Sequence, residues 1–78
     1  MQSRKQIPLY RKKLGYAIRG KRDLLGVSQE RLAELVNCHR NYIGLIERGE
    51  QNLTIDSLVR MARTLKCKVS DLLSDAGL

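Results

Sequence analysis

A chain of 78 residues suits one small domain with a modest core and leaves no room for a second. Two cysteines and one histidine are too few for a disulfide scaffold or a zinc site, and neither a run of about eighteen apolar residues nor an apolar segment behind the basic start supports a membrane span or a signal peptide. The net charge of +7 is uneven: residues 1 to 27 hold eight Lys/Arg against Asp23 alone, so the leading third suits a polyanionic partner whose condensed counterions are released on binding.

Met1 to Ile7 is polar and basic without periodicity, which predicts a flexible arm (residues 1–7) ending near Pro8, a residue that fits the first turn of a helix. Helix one is expected from about Pro8 to Leu25. Leu14, Ala17, Ile18 and Leu25 form its core stripe, and Arg11, Lys12, Arg19 and Lys21 project outward. Gly15 and Gly20 weaken it, each by up to ~1 kcal/mol relative to alanine, and Gly26 stops it. Ser28 is the expected N-cap of helix two, with Glu30 at its positive end, although Arg31 at the third position leaves the capping box incomplete. Helix two ends near Val36, and Asn37 takes the left-handed turn that glycine more often fills.

Helix three follows from His39 or Arg40 to Arg48, closed by Gly49, and Glu50 to Leu53 is a polar loop. Thr54 caps helix four, on which Ile55, Leu58, Val59, Ala62 and Leu65 share one face. Ser70 caps a short fifth helix from Asp71 to about Ser74, carrying Leu72 and Leu73. Cys38 and Cys67 sit among apolar neighbours and read as small buried hydrophobes. The expected fold is all-α, a compact five-helix bundle, with residues 8–78 as one domain.

Between Gln29 and Arg48, apolar Leu32, Val36, Cys38, Ile43 and Ile46 fall where two short helices crossing over a tight turn share a core, and Ala33 falls where their backbones come closest. That is the layout of a DNA-binding helix-turn-helix. With Ile43 and Ile46 inward, Arg40, Asn41, Gly44 and Arg48 share the outer face of helix three. Arg40 can donate two parallel hydrogen bonds to guanine O6 and N7, and Asn41 can serve adenine in the same way. Leu45 either touches a thymine methyl or completes the core. A glycine inside a helix needs a reason, and for Gly44 close approach to DNA and contact with a neighbouring helix are the alternatives.

Phosphate contacts are expected from Gln29 at the start of helix two and from His39, which otherwise serves as an N-cap. Tyr42 either bonds a phosphate or packs against helix two, and Arg48, Gln51 and Asn52 flank the end of helix three, where they can clamp the backbone. Glu47 falls between the inward positions of helix three, and a partly buried carboxylate needs a partner; Arg22 on helix one is the candidate for a structural ion pair. No Gly-rich phosphate loop, metal cluster or nucleophile with a base is present in the sequence, so neither an enzyme nor a cofactor nor a small-molecule ligand is expected. An antitoxin-like interaction protein that masks a partner is the alternative to a regulator.

The segment SQERLAELVNCHRNYIGLIERGEQNLTIDSLVRMARTLKCKVSDLL resembles the Cro/phage-repressor (xenobiotic-response-element-type) helix-turn-helix family over about Leu14 to Leu73. SQ opening helix two, LA within it, Y-I-x-x-I-E-R-G through helix three and L-x-x-[LM]-A over Leu58 to Ala62 carry the resemblance. Within the family, H-R-N-Y-I-G-L-I-E-R-G looks most like the controller proteins of restriction–modification systems. The resemblance implies a lambda-repressor-like domain in the bacterial or phage-infected cytoplasm, binding double-stranded DNA as a homodimer on a palindromic operator with helix three in each major groove. It matches Arg40 and Asn41 to base-reading positions, Gln29 to a phosphate contact, and Arg22 with Glu47 to an interhelical ion pair. Asn37, His39, Gly44 and Leu45 depart from the family pattern, so base preference does not transfer. Leu72, Leu73 and Leu78 are the sequence's candidates for a subunit contact.

Overall fold

The computed structural model describes residues 6–78, among which there are five helices and no strand. They are α1 (Leu9–Leu24), α2 (Gln29–Leu35), α3 (Arg40–Glu47), α4 (Ile55–Thr64) and α5 (Val69–Asp75). Residues 1–5 of the expected arm lie outside the described residues.

The helix boundaries follow local chemistry. Pro8 is the N-cap of α1, and its carbonyl accepts from the N–H groups of Arg11 and Lys12 at 3.1 and 3.2 Å. The Ser28 hydroxyl accepts from the Arg31 N–H at 3.0 Å, and the Thr54 hydroxyl accepts from the Ser57 N–H at 3.0 Å. Each satisfies a first-turn donor that the helix itself cannot. Asn37 turns the chain between α2 and α3 with φ 58°, which lets the Cys38 N–H reach back to the Ala33 carbonyl at 2.8 Å. Gly49 closes α3 with φ 78°.

Ile18, Leu32, Ile43, Ile46 and Leu72 are the largest fully buried side chains, and Ala17, Ala33, Val36, Leu58, Met61, Ala62, Leu65 and Ala76 surround them. Burying one such large aliphatic chain is worth roughly 1.5–3 kcal/mol. The α3 helix packs on both α2 and α1 and is gripped from two sides, while α5 packs on α1 and α4.

Several sequence expectations need correction. Leu25 is not core: it is the residue just past α1 and is 41% exposed. Ile55 is 69% exposed because it opens α4 beyond the edge of the core, and the buried stripe of that helix is Leu58, Met61 and Ala62, continued by Leu65 just past its end. The fifth helix starts at Val69 rather than Asp71. Lys68 is its N-cap, and the Asp71 carboxylate accepts from the Lys68 N–H at 3.0 Å, leaving Ser70 inside the first turn. Leu72 is 0% exposed, so it fills the core and cannot serve a subunit contact. Cys38 and Cys67 are half-buried, at the edge of the core rather than within it. Arg11 does not simply project outward, since it is half-buried and bonded to the loop after α3.

Candidate nucleic-acid interface

Three restraints hold α3 on its inner side. Arg22 donates from Nε to Glu47 Oε2 at 2.6 Å and from Nη2 to Oε1 at 3.0 Å, and its Nη1 donates to the Val27 carbonyl at 2.9 Å. Gln29, at the start of α2, donates from Nε2 to the same Glu47 Oε1 at 2.9 Å. The side chains of Arg22 and Glu47 are only 10% and 5% exposed, so the pair is largely desolvated. The hydrogen bonds that Arg22 donates to Glu47 raise the Arg22 pKa further, against the opposing effect of burial.

The second restraint is Gly15. A Cβ there would meet the Ile46 carbonyl and would stand 2.6 Å from the Glu47 carbonyl oxygen, so only glycine lets the α1 backbone lie against the end of α3. The third is Arg11, whose Nε donates to the Gly49 carbonyl and whose Nη1 donates to Asn52 Oδ1, both at 2.8 Å. Sequence reasoning missed Arg11, although a signal was present. It lies four residues before Gly15 and therefore on the face of α1 that meets α3.

With that side fixed, the opposite side of α3 is presented to solvent as a notch of about 410 Å³ lined by Gln29, Arg40, Asn41, Gly44, Leu45 and Arg48. Arg40 and Asn41 are exposed at the first turn, and Leu45 is half-buried at the edge. Gly44 forms the floor. A Cβ added there would meet only the Arg48 guanidinium, with Nη1 at 3.2 Å, so no neighbouring helix explains this glycine. Among the described residues Arg40 has no acidic partner, whereas Arg48 Nε donates to Glu50 Oε2 at 3.0 Å.

The structure therefore gathers six of the ten residues that the sequence proposes for DNA contact. His39 is the exposed N-cap of α3, with no side-chain cap hydrogen bond. Tyr42 is half-buried against the core. Gln51 and Asn52 line a separate recess with Tyr10, Arg11 and Leu53, on the α1 side of α3. Among the described residues no three His, Cys, Asp or Glu side chains gather as a metal site, and no helix is long and apolar enough to cross a membrane.

The profile of the helix-turn-helix family HTH_3 matches residues 18–72, which take in the whole of α2, α3 and α4 and the buried side chains from Ile18 to Leu72. The chain belongs to the helix-turn-helix family of DNA-binding transcriptional regulators. This helix-turn-helix protein is 43% identical over 61 residues to the control protein C.SmaI of Serratia marcescens, a match covering 78% of this chain and 73% of the relative. Its fold is similar to that of the clp gene regulator ClgR from Corynebacterium glutamicum, with a TM-score of 0.87, 32% identity and 92% of each chain covered. It is also similar to the restriction–modification controller protein C.AhdI from Aeromonas hydrophila, with a TM-score of 0.74, 33% identity, and coverage of 81% of this chain and 94% of that one. In this helix-turn-helix protein α2 and α3 are the paired helices, Asn37 is the turn, and the notch lies on the outer face of α3.

Proposed function

We propose that the protein regulates transcription by binding a palindromic operator as a homodimer, with one α3 in each major groove, and that it controls a restriction–modification system. The observation that carries this reading is the two-sidedness of α3: Ile43 and Ile46 are sealed in the core while Arg40, Asn41, Gly44 and Leu45 line one solvent-facing notch. An α-helix with its side chains is about 10–12 Å across, which the roughly 12 Å width of the major groove of B-DNA admits. The free Arg40 guanidinium supplies the paired donors that guanine accepts, the Asn41 amide suits adenine, and Leu45 suits a thymine methyl.

Gln29 in the notch, His39 at the N-cap of α3, half-buried Tyr42, and Gln51 and Asn52 in the recess on the α1 side are proposed to hold phosphates, contacts that set register without reading sequence. Gln29 does so with the amide that also braces Glu47. Arg4 and Lys5 of the arm add to the electrostatic attraction. With Leu72 in the core, Leu73 and Leu78 remain as subunit contacts, and two-fold symmetry places the half-sites about one helical turn, ~34 Å, apart. The similarity to C.SmaI and C.AhdI supports the controller assignment, and a cytoplasmic location follows from it.

Selection of bound sites from a random DNA pool, followed by sedimentation of the protein on the enriched site, tests the proposal. A two-fold symmetric site carrying two chains is the expected result. An asymmetric site bound by one chain would remove the dimer and the palindrome.

A further inference from the structure

Arg48 is the residue that closes α3, and its place in the sequence points it towards a phosphate. The guanidinium stands over Gly44. It folds back one helical turn over Gly44, with Nη1 and Cζ standing 3.2 and 4.0 Å from the position a Cβ would take, and no neighbouring helix or other side chain shares that space. The guanidinium thus occupies the room that a side chain at position 44 would fill. Glu50 Oε2 accepts from Arg48 Nε at 3.0 Å, which holds one edge of the group; Nη1 stands over Gly44, and Arg48 lines the notch with Arg40 and Asn41.

We infer that Arg48 is a third specificity-determining residue, reading a guanine edge at the centre of the α3 face through the gap left by Gly44, with Glu50 as its positioning residue. This rests on the operator-binding reading above. Pairing with Glu50 decides between a phosphate and a base. A guanidinium already neutralised by a carboxylate offers little net charge to a phosphate, and the carboxylate repels one. The same pairing takes less from a fork of two N–H donors aimed at O6 and N7, because those acceptors carry no net charge. It also favours this arrangement of the long side chain before DNA arrives, by the modest amount an exposed ion pair supplies, which lowers the ordering cost of the contact.

The test uses the full chain and the operator enriched from a random pool, with each base pair of the half-site replaced in turn. Wild type, Arg48→Ala, Arg48→Lys and Gly44→Gln are compared by equilibrium binding at several salt concentrations. The expected result is that Arg48→Ala loses discrimination at one G·C pair, by about five- to 150-fold, keeps it elsewhere and leaves the salt slope unchanged. Arg48→Lys does not restore that position, because an ammonium lacks the fork. Gly44→Gln, by displacing the guanidinium, loses the same position. Arg48 is exposed, so the Arg48 variants fold and carry the test even if Gly44→Gln does not.

Uniform weakening of every operator by Arg48→Ala, with a salt slope lower by about one and rescue by lysine, would make Arg48 a phosphate contact and overturn the inference. Unchanged binding overturns it equally. In both of these results wild type still prefers its operator, so the operator reading stands. A wild-type protein that bound all sequences alike would overturn the operator reading and this inference together.

Discussion

Arg22 grips Glu47 with two parallel hydrogen bonds of 2.6 and 3.0 Å across 25 residues of chain, and this pair locks α3 to α1. Both side chains are nearly removed from water, and Gln29 takes the same carboxylate at 2.9 Å. Removing one member of such a pair leaves an uncompensated buried charge, at a cost of about 3–5 kcal/mol. Total stability for a domain of this kind is about 5–15 kcal/mol. Arg22→Ala and Glu47→Ala are therefore expected to lower the urea midpoint steeply at unchanged slope, and each leaves a fraction of the chain unfolded in water. The double variant Arg22→Met with Glu47→Leu is expected to recover most of the loss, because apolar replacement of both partners removes the desolvation penalty as well as the attraction. A double variant as unstable as either single one would show that the loss is not one of an unpaired charge.

Gly15 and Gly20 look alike in the sequence and are opposite in the structure. Alanine at position 15 would drive a methyl group into the carbonyls at the end of α3, 2.6 Å from the Glu47 oxygen, where the obstacle is backbone and cannot swing aside. Alanine at position 20 meets nothing within 4 Å. Gly20→Ala is expected to stabilise α1 by up to ~1 kcal/mol through propensity alone, raising the melting temperature by about 4–8 °C per kcal/mol in a domain of this size. Gly15→Ala should destabilise despite the same gain in propensity. Thermal melts of the two variants with similar shifts of the same sign would contradict the close approach of α1 and α3.

Among the described residues, two other than glycine take left-handed backbone conformations, Asn37 at φ 58° and Lys66 at φ 61°. Asparagine tolerates this region because its short polar side chain bonds locally, whereas lysine bears the steric cost of its Cβ, about 1 kcal/mol. Lys66→Gly is expected to stabilise the chain by up to about that amount, less the entropy that glycine adds to the unfolded state. Asn37→Gly should be closer to neutral, and Asn37→Val should destabilise. Chemical denaturation of the three variants at pH 7 checks the order.

That contrast also marks what the sequence makes legible. The turn at Asn37 could be read because α2 and α3 flank it with a shared apolar pattern, and the N-caps at Ser28 and Thr54 because a hydroxyl before an apolar-periodic run has one common use. The turn at Lys66 could not, since nothing in a lysine signals a positive φ; only the packing of α5 on α4 requires it there. The start of α5 was misplaced for a related reason. Ser70 is the better capping residue by propensity, but a cap at Lys68 lets Val69 join the first turn and pack against the core, with Asp71 reaching back to the Lys68 N–H. At the site, Arg40, Asn41 and Gly44 follow from helical periodicity, whereas the contacts of Arg11 with Gly49 and Asn52, of Gln29 with Glu47 and of Arg48 with Glu50 depend on how whole helices are placed.

Burial raises the pKa of both thiols, opposed by the charge of Arg60 at Cys38 and of Lys21 at Cys67. A pKa raised on folding means that the protonated thiol is the form the fold favours. Its contribution is fully present below the unfolded thiol range, near 8.5, and is lost as the pH rises through the higher folded value. Stability should thus be insensitive to these groups between pH 6 and about 8 and decline above it. The variant Cys38→Ala with Cys67→Ala is expected to show a shallower alkaline decline than wild type, and both thiols should react with a disulfide reagent at pH 8 more slowly in the folded chain than in denaturant. Equal rates in the two states would remove the burial effect.

Arg40 and Asn41 stand at consecutive positions on the first turn of α3 and so point in different directions; with α3 in the major groove as proposed, they should govern different base pairs. Arg40→Ala is expected to lose about 1–3 kcal/mol of discrimination at one G·C pair, and Asn41→Ala a similar amount at a neighbouring A·T pair. Because Arg40 has no acidic partner among the described residues, its full charge also contributes to general attraction, and its removal should lower the salt slope slightly, whereas that of neutral Asn41 should leave it unchanged. Neither variant should alter the melting temperature, since both side chains are exposed. Binding measured against a panel of single-base-pair operator variants separates the outcomes. If Arg40→Ala weakened binding to every operator by the same factor, Arg40 would be a phosphate contact and the first turn of α3 would lie along the groove wall instead of its floor.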